Sequence, residues 1–225
     1  MNVPLAIAEQ VAQALEPTGI RVRGIVNFGQ GEGPRLEDGS PAQSVVLLGN
    51  IGGSIWPAFS AWRRSYQGRD PLDTWSKAMI LPVARRMHAA AYFPSDMPWH
   101  PFQQWAMRAE GLKASPLGML IHPAHGLWQG YRGALGLPFE LPGPPAAPTH
   151  PCDGCLDKPC LSACPANALG ADRFDVAACR SFLDTQSVDH ACMGSGCLAR
   201  NACPLGASFR YPQAQLCFHM ASLKT

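Results

Sequence analysis

Cysteine is absent from the first 151 residues of this 225-residue chain; all nine lie between Cys152 and Cys217. That absence excludes disulfides and thiolate metal sites from the front two thirds, which must bury a core of their own. Charge is scarce too: charged residues make up 15% and hydrophobic residues 47%, against roughly 25% charged in ordinary globular chains. Disorder of the highly charged kind is thereby excluded. Lysine and arginine total 18 against 16 acidic residues, and no basic run is present, so no nucleic-acid partner is expected. No apolar stretch approaches the ~18 residues of a membrane span, so no membrane partner is expected. The opening MNVPLAIAEQVAQALEP has neither a basic n-region nor a twin arginine, and the expected location is the cytoplasm. In a reducing compartment, clustered cysteines mean metal or redox chemistry before disulfides.

Glycine and proline, 22 each, have no collagen period and imply many turns and short elements. A first helix runs from Pro4, with Leu5, Ala8, Val11, Ala12 and Leu15 along one face, and closes at Pro17. Gly19 to Val26 and Ser44 to Gly49 read as strands. GNIGGSIW, which follows the second, reads as a tight turn before a helix, because it lacks GxGxxG and GKS or GKT. Asp70 is a candidate N-cap with Pro71 in the first turn, and Leu72, Trp75, Met79, Val83 and Met87 follow at helical spacing with a kink at Pro82. Ala90 to Phe93 suits a strand, and Pro101 opens a helix with Phe102, Trp105, Ala106 and Ala109 on one side. Ser115 to Pro138 reads as two strands around a His-Pro turn. Glycines at 126, 130, 133 and 136 in the second would let something flat or bulky approach the backbone. Six of the 14 residues from Pro138 to Pro151 are proline, the mark of a stiff linker. The expected organisation is therefore 1–137, a linker over 138–151, and a small cysteine-stapled domain over 152–225.

The cysteine segment reads Cys152-x2-Cys155-x4-Cys160-x3-Cys164-Pro165, then Cys179, then Cys192-x4-Cys197-x5-Cys203-Pro204. Two groups of thiolates, each ending in Cys-Pro, are how bacterial two-cluster ferredoxins hold a pair of 4Fe-4S cubanes, with three ligands from one run and the fourth from the Cys-Pro of the other. The crossing rule assigns Cys152, Cys155, Cys160 and Cys203 to one cluster and Cys164, Cys179, Cys192 and Cys197 to the other. The gaps depart from the usual x2 and x3, more so in the second set. Cys217 is left over as a buried thiol. Zinc is the plainer alternative, but zinc ribbons use two separated C-x2-C pairs and this segment has one, with no histidines at finger spacing.

DPLDTW at 70–75 and SPLGMLIHPAHGLWQGYRGALGLP at 115–138 carry a resemblance. This part of the chain resembles the cobalamin-processing proteins of the CblC type and, more distantly, epoxyqueuosine reductase and the reductive dehalogenases. In epoxyqueuosine reductase, too, a corrinoid domain precedes a two-cluster ferredoxin module. The resemblance implies an α+β fold class: a nitroreductase-like corrinoid-type domain followed by a bacterial-ferredoxin-like domain. It also implies a corrinoid bound base-off, with His122, Pro123, Gly126 and Trp128 lining its site and Arg132 where CblC-like proteins hold a thiol such as glutathione. No DxHxxG motif supplies a lower axial histidine. Read as residues alone, His122 and His125 suit packed or hydrogen-bonded histidines, and Arg132 suits a structural ion pair as well as a ligand contact. Asp70 and Asp73 lie where a proton donor would sit, although a helix cap explains Asp70; no catalytic acid is named.

The expected function is an iron-sulfur oxidoreductase. It would take electrons from a donor protein through two 4Fe-4S clusters to a cobalamin-type cofactor, for upper-ligand removal or reduction of a small molecule. The alternatives are a non-catalytic electron or cobalamin carrier and a flavin-using reductase. Epoxyqueuosine reduction on tRNA is disfavoured, because about 20 residues follow Cys203 and no basic run is present. Reductive dehalogenation is disfavoured by the missing export signal.

Overall fold

A computed structural model describes residues 3–142, 149–170, 174–185 and 191–224. In chain order the longer elements are α1 (Val3–Leu15), β1 (Arg21–Asn27), β2 (Ser44–Ile51), α2 (Trp56–Arg63), α3 (Pro71–Arg86), β3 (Ala90–Tyr92), α4 (Phe102–Glu110), β4 (Lys113–Ala114), β5 (Leu120–Ile121) and β6 (Gln129–Leu137). The cysteine segment carries α5 (Pro159–Ser162), α6 (Val176–Asp184), α7 (Ala191–Ser195), α8 (Leu198–Asn201) and α9 (Gln213–Ala221). Two compact units result: Met1–Gly111 with Gly130–Ala147, and Leu112–Gln129 with Pro148–Thr225.

The first unit is built on a four-stranded sheet in the order β1-β2-β6-β3. β2 is buried from Ser44 to Asn50, as its unbroken run SVVLLG suggests for a strand covered on both faces. Antiparallel pairing joins β1 to β2, with an irregularity between Val22 and Gly24, and β3 to β6. Helix α1 buries Val11 and Leu15, and α4 buries Phe102, Trp105, Ala106 and Ala109, the face its spacing indicates. In α3, Trp75, Ile80 and Val83 form the buried stripe, while Pro82 sits inside the helix on its exposed side and the helix continues to Arg86.

The glycine-rich turn is closed by its own side chains. Asn50 Nδ2 donates to Gly52 O at 3.0 Å and Ser54 Oγ to Gly19 O at 2.7 Å. A Cβ on Gly19 would lie 1.8 Å from Ser54 O, so that position admits only glycine.

Arg23, on β1, carries a buried charge. Its Nη2 pairs with Glu110 Oε2 at 2.9 Å, with side-chain exposures of 1% and 9%, and its Nη1 donates to Asn50 O at 3.0 Å. Tyr131 O–H donates to Glu110 Oε1 at 2.6 Å, and burial together with that carboxylate pushes the phenol upward. Tyr92 O–H donates to Arg35 O at 2.9 Å, and burial pushes its pKa up to about 12.

Three expectations need correction. Asp70 stands at the N-cap of α3 with Pro71 in its first turn, as expected, but it takes a left-handed conformation (φ 48°) and makes no side-chain cap bond; its carbonyl accepts from Thr74 N instead. The segment before the His-Pro turn does not form a long strand. β5 is two residues long and pairs with β4, because Ser115 closes the loop between them by bonding Met119 O, Gly118 N and, through Oγ, Leu117 N. Nor does the front domain run unbroken to 137. Leu112–Gln129 packs with the cysteines, since Leu117, Ile121 and Leu127 form one apolar cluster with Cys160 and Ala199. Of the expected linker, residues 143–148 lie outside the described residues. Phe139 and Leu141 are tied to the first unit through Ser44 Oγ at 2.7 Å and Asn27 Nδ2 at 2.7 Å.

The borrowed segment explains how the second unit gains a core. A stretch of 66 residues is marginal on its own apolar burial, and Trp128, fully buried with Tyr211 and Leu216, adds a large side chain to it. A third cluster joins Leu183, Cys192, Met193 and Met220.

Candidate metal centre

Short elements present the thiols one by one. Cys160 lies in α5 and Cys164 just after it; Cys179 lies in α6, whose N-terminus is capped by the Asp175 carboxylate accepting from Ala178 N at 2.9 Å. Cys192 lies in α7, and Cys197 stands at the N-cap of α8. Gly196, at φ 85° with Leu216 packed against it, sets the bend between the last two.

Eight cysteines sort into two quartets, each around a cavity of its own. Cys152, Cys155, Cys160 and Cys203 line a cavity of about 400 Å³, together with Lys158. Cys164, Cys179, Cys192 and Cys197 line one of about 230 Å³, together with Arg200 and His219. Burial, foremost, pushes the thiols of Cys152, Cys160, Cys179, Cys192 and Cys197 upward, and neighbouring thiols add to it. Those neighbours fall wholly within a quartet: Cys152 and Cys160 face Cys155 and Cys203, while Cys179 and Cys197 face Cys164 and Cys192. Cys164 and Cys203, each followed by proline, therefore stand with the run to which they do not belong in sequence. Among the described residues, no three His, Cys, Asp or Glu gather around a single ion position. Cys217 belongs to neither cavity; its Sγ donates to Gly194 O at 3.3 Å.

Three of the residues expected to line a corrinoid are engaged by the protein itself. Trp128 has no exposure and is packed by Tyr211, Arg200 and Arg210. Gly126 (φ 59°) is approached by the protein itself, because a Cβ there would lie 2.1 Å from Leu205 O. His122 accepts from Ala124 N at 3.0 Å and His125 N at 3.2 Å through Nδ1, and its ring stacks on that of His125 at 4.1 Å. It is a turn-closing histidine. Pro123 is half-buried in the same turn. All four fall in the second unit, whereas Arg132 lies half-buried on β6 in the first. The expected close approach at the glycines is real, but at 133 and 136 it is made by Ile80, Phe93 and Tyr92.

Arg200, His219 and Lys158 had escaped the sequence reading. The signal for Arg200 was present: it lies midway between Cys197 and Cys203.

Solved structures share this mixed helix-and-sheet fold. An epoxyqueuosine reductase from Streptococcus thermophilus aligns at 16% identity and a TM-score of 0.58, over 94% of this chain and 68% of that one. An epoxyqueuosine reductase solved with a tRNA-Tyr stem loop aligns at 15% and 0.56, over 93% and 68%. CblC, a B12-trafficking protein from C. elegans, aligns at 12% and 0.49, over 96% and 91%. The fold is that of the epoxyqueuosine reductases. The tRNA in the second structure bears on the expectation of no nucleic-acid partner, since in that protein the fold accompanies one. No protein-family model matches the chain, and no curated protein matches it by sequence. Among the described residues no helix is long and apolar enough to cross a membrane.

Proposed function

We propose that this chain is an iron-sulfur oxidoreductase. Cys152, Cys155, Cys160 and Cys203 hold one 4Fe-4S cluster, Cys164, Cys179, Cys192 and Cys197 hold a second, and the electrons they carry serve reductive chemistry at a cofactor of the first unit. The observation that carries the reading is the sorting of eight thiols into two crossed quartets, each around its own cavity. A zinc ion needs all four sulfurs at ~2.3 Å from one point, whereas a cubane takes one thiolate at each of four corners and so suits thiols spread around a cavity. The clusters supply one-electron transfer when bound. The protein supplies thiolates, a largely apolar wall that lowers the local dielectric, and backbone N–H groups facing sulfur: those of Ala199 and Arg200 toward Cys197, and that of Leu198 toward Cys192. Because the buried thiols resist ionisation, loading them releases protons and is favoured as pH rises.

For the cofactor of the first unit, cobalamin is the leading choice, on the resemblance of 70–75 and 115–138 to CblC-type proteins and on the fold shared with epoxyqueuosine reductase, a reductase by name. His122, Gly126 and Trp128, which the resemblance implied for it, are engaged by the protein's own groups, so the resemblance and the fold carry the assignment. A small-molecule substrate is preferred over tRNA because basic residues barely exceed acidic ones and form no run. Titrating the anaerobically reconstituted protein into cobalamin is expected to convert the base-on absorption to base-off, saturating near one equivalent. No change at excess protein, or a flavin that co-purifies, would overturn the cobalamin assignment.

A further inference from the structure

Leu117 stands in the segment that leaves the first unit after Gly111 and packs with the cysteines. A closed loop presents it. Ser115 N donates to Met119 O at 2.8 Å, Gly118 N to Ser115 O at 2.9 Å and Leu117 N to Ser115 Oγ at 3.3 Å, while Gly118 supplies the left-handed turn at φ 75°. Among the described residues, Leu117 alone lines both thiol cavities. Its neighbours divide between them: Met119 lines only that of the second quartet, and Ile121 only that of the first. Leu117 is 6% exposed and forms an apolar cluster with Ile121, Leu127, Cys160 and Ala199. Thiols of both quartets pack against that cluster, Cys152 and Cys203 from the first and Cys164 and Cys197 from the second.

Resting on the two-cluster reading, we propose that Leu117 is a partition shared by the two clusters, which keeps water from both at once and holds both reduction potentials down together. One-electron reduction adds one negative charge to a cluster that is already anionic with its four thiolates, and no bond or proton need change. An apolar wall disfavours the more negative form, because added charge is costly where water is excluded. One side chain thus acts on two centres. Both clusters are kept as stronger reductants, which suits a pair that serves reductive chemistry.

The test is a redox titration of the reconstituted full chain with dithionite and mediators, followed by electron paramagnetic resonance. Wild type is expected to show two midpoints, and Cys155→Ser, which alters only that of the first quartet, assigns them. Leu117→Ala should raise both by about 28 mV or more, a threefold gain in the reduced-to-oxidised ratio of a one-electron couple. Leu117→Met, apolar and of similar volume, should leave both near wild type. Met119→Ala should raise only the midpoint of the second quartet, and Ile121→Ala only that of the first. A merely structural role would lower the amount of cluster loaded without moving the midpoints of the clusters that form. Leu117→Val, a smaller truncation, should raise both by less, so poor loading of Leu117→Ala leaves the test intact. Either midpoint staying in place in the truncated variant that loads, shifts of opposite sign, or a Leu117→Met shift as large as that of the truncation would overturn the proposal. So would both midpoints moving in Met119→Ala or in Ile121→Ala. A wild type with fewer than two titrating centres would instead defeat the two-cluster reading itself.

Discussion

Cys203→Ala is expected to abolish the cluster of Cys152, Cys155 and Cys160 and to leave that of Cys164, Cys179, Cys192 and Cys197, with iron falling from about eight to about four per chain. Cys164→Ala should do the reverse. The expectation runs against sequence order. Cys164 lies four residues after Cys160 and Cys203 six after Cys197, so an uncrossed arrangement would give each variant the opposite loss. It rests on Cys203 lining the first cavity and Cys164 the second. A cubane that loses one of four thiolates is left with a corner open to water or oxygen, and the whole cluster is then commonly shed. Cys217→Ala is the control and should retain about eight irons, since Cys217 lies outside both cavities. Iron and sulfide analysis with paramagnetic resonance of the surviving cluster would distinguish the cases; loss of the Cys164 cluster in Cys203→Ala would contradict the crossing.

The second large effect lies in the first unit and involves no metal. Glu110→Ala is expected to cost about 3–5 kcal/mol, the usual loss when one partner of a buried ion pair is removed. Arg23 would remain 1% exposed without its carboxylate, and Tyr131 would lose the acceptor 2.6 Å from its hydroxyl. Asp96→Ala offers the contrast. The Lys77–Asp96 pair is 36% and 44% exposed, and pairs of that kind contribute about 0–1 kcal/mol. Urea unfolding followed by far-ultraviolet circular dichroism would measure both; a loss below about 1 kcal/mol for Glu110→Ala would mean that the pair is solvated rather than buried.

The sequence made some of this architecture legible and hid the rest for physical reasons. The grouping of eight thiols around two cavities could be read because close spacing keeps neighbouring cysteines together, and because proline after cysteine turns the chain toward the other group. The faces of α4 and of much of α3 followed from apolar periodicity. The Arg23–Glu110 pair could not, because it joins residues 87 apart and an arginine alternating with Ile20 and Val22 on a strand reads as solvent-facing. The allegiance of 112–129 was hidden as well. A proline-rich stretch beginning at Pro138 resembles a boundary, and an apolar segment such as LIHPAHGLW can satisfy the core of either unit. Gly126 was rightly read as a point of close approach, but a missing side chain does not say what approaches, and there it is the carbonyl of Leu205. The same limit applies to Trp128, whose size suits a cofactor wall and a core equally.

The central claim is that eight cysteines hold two 4Fe-4S clusters. Its most direct test is iron and acid-labile sulfide analysis of the wild-type chain reconstituted anaerobically, with its visible absorption. About eight irons and about eight sulfides per chain, with broad absorption bleached by dithionite, are predicted; about two zinc ions per chain with no labile sulfide would contradict it.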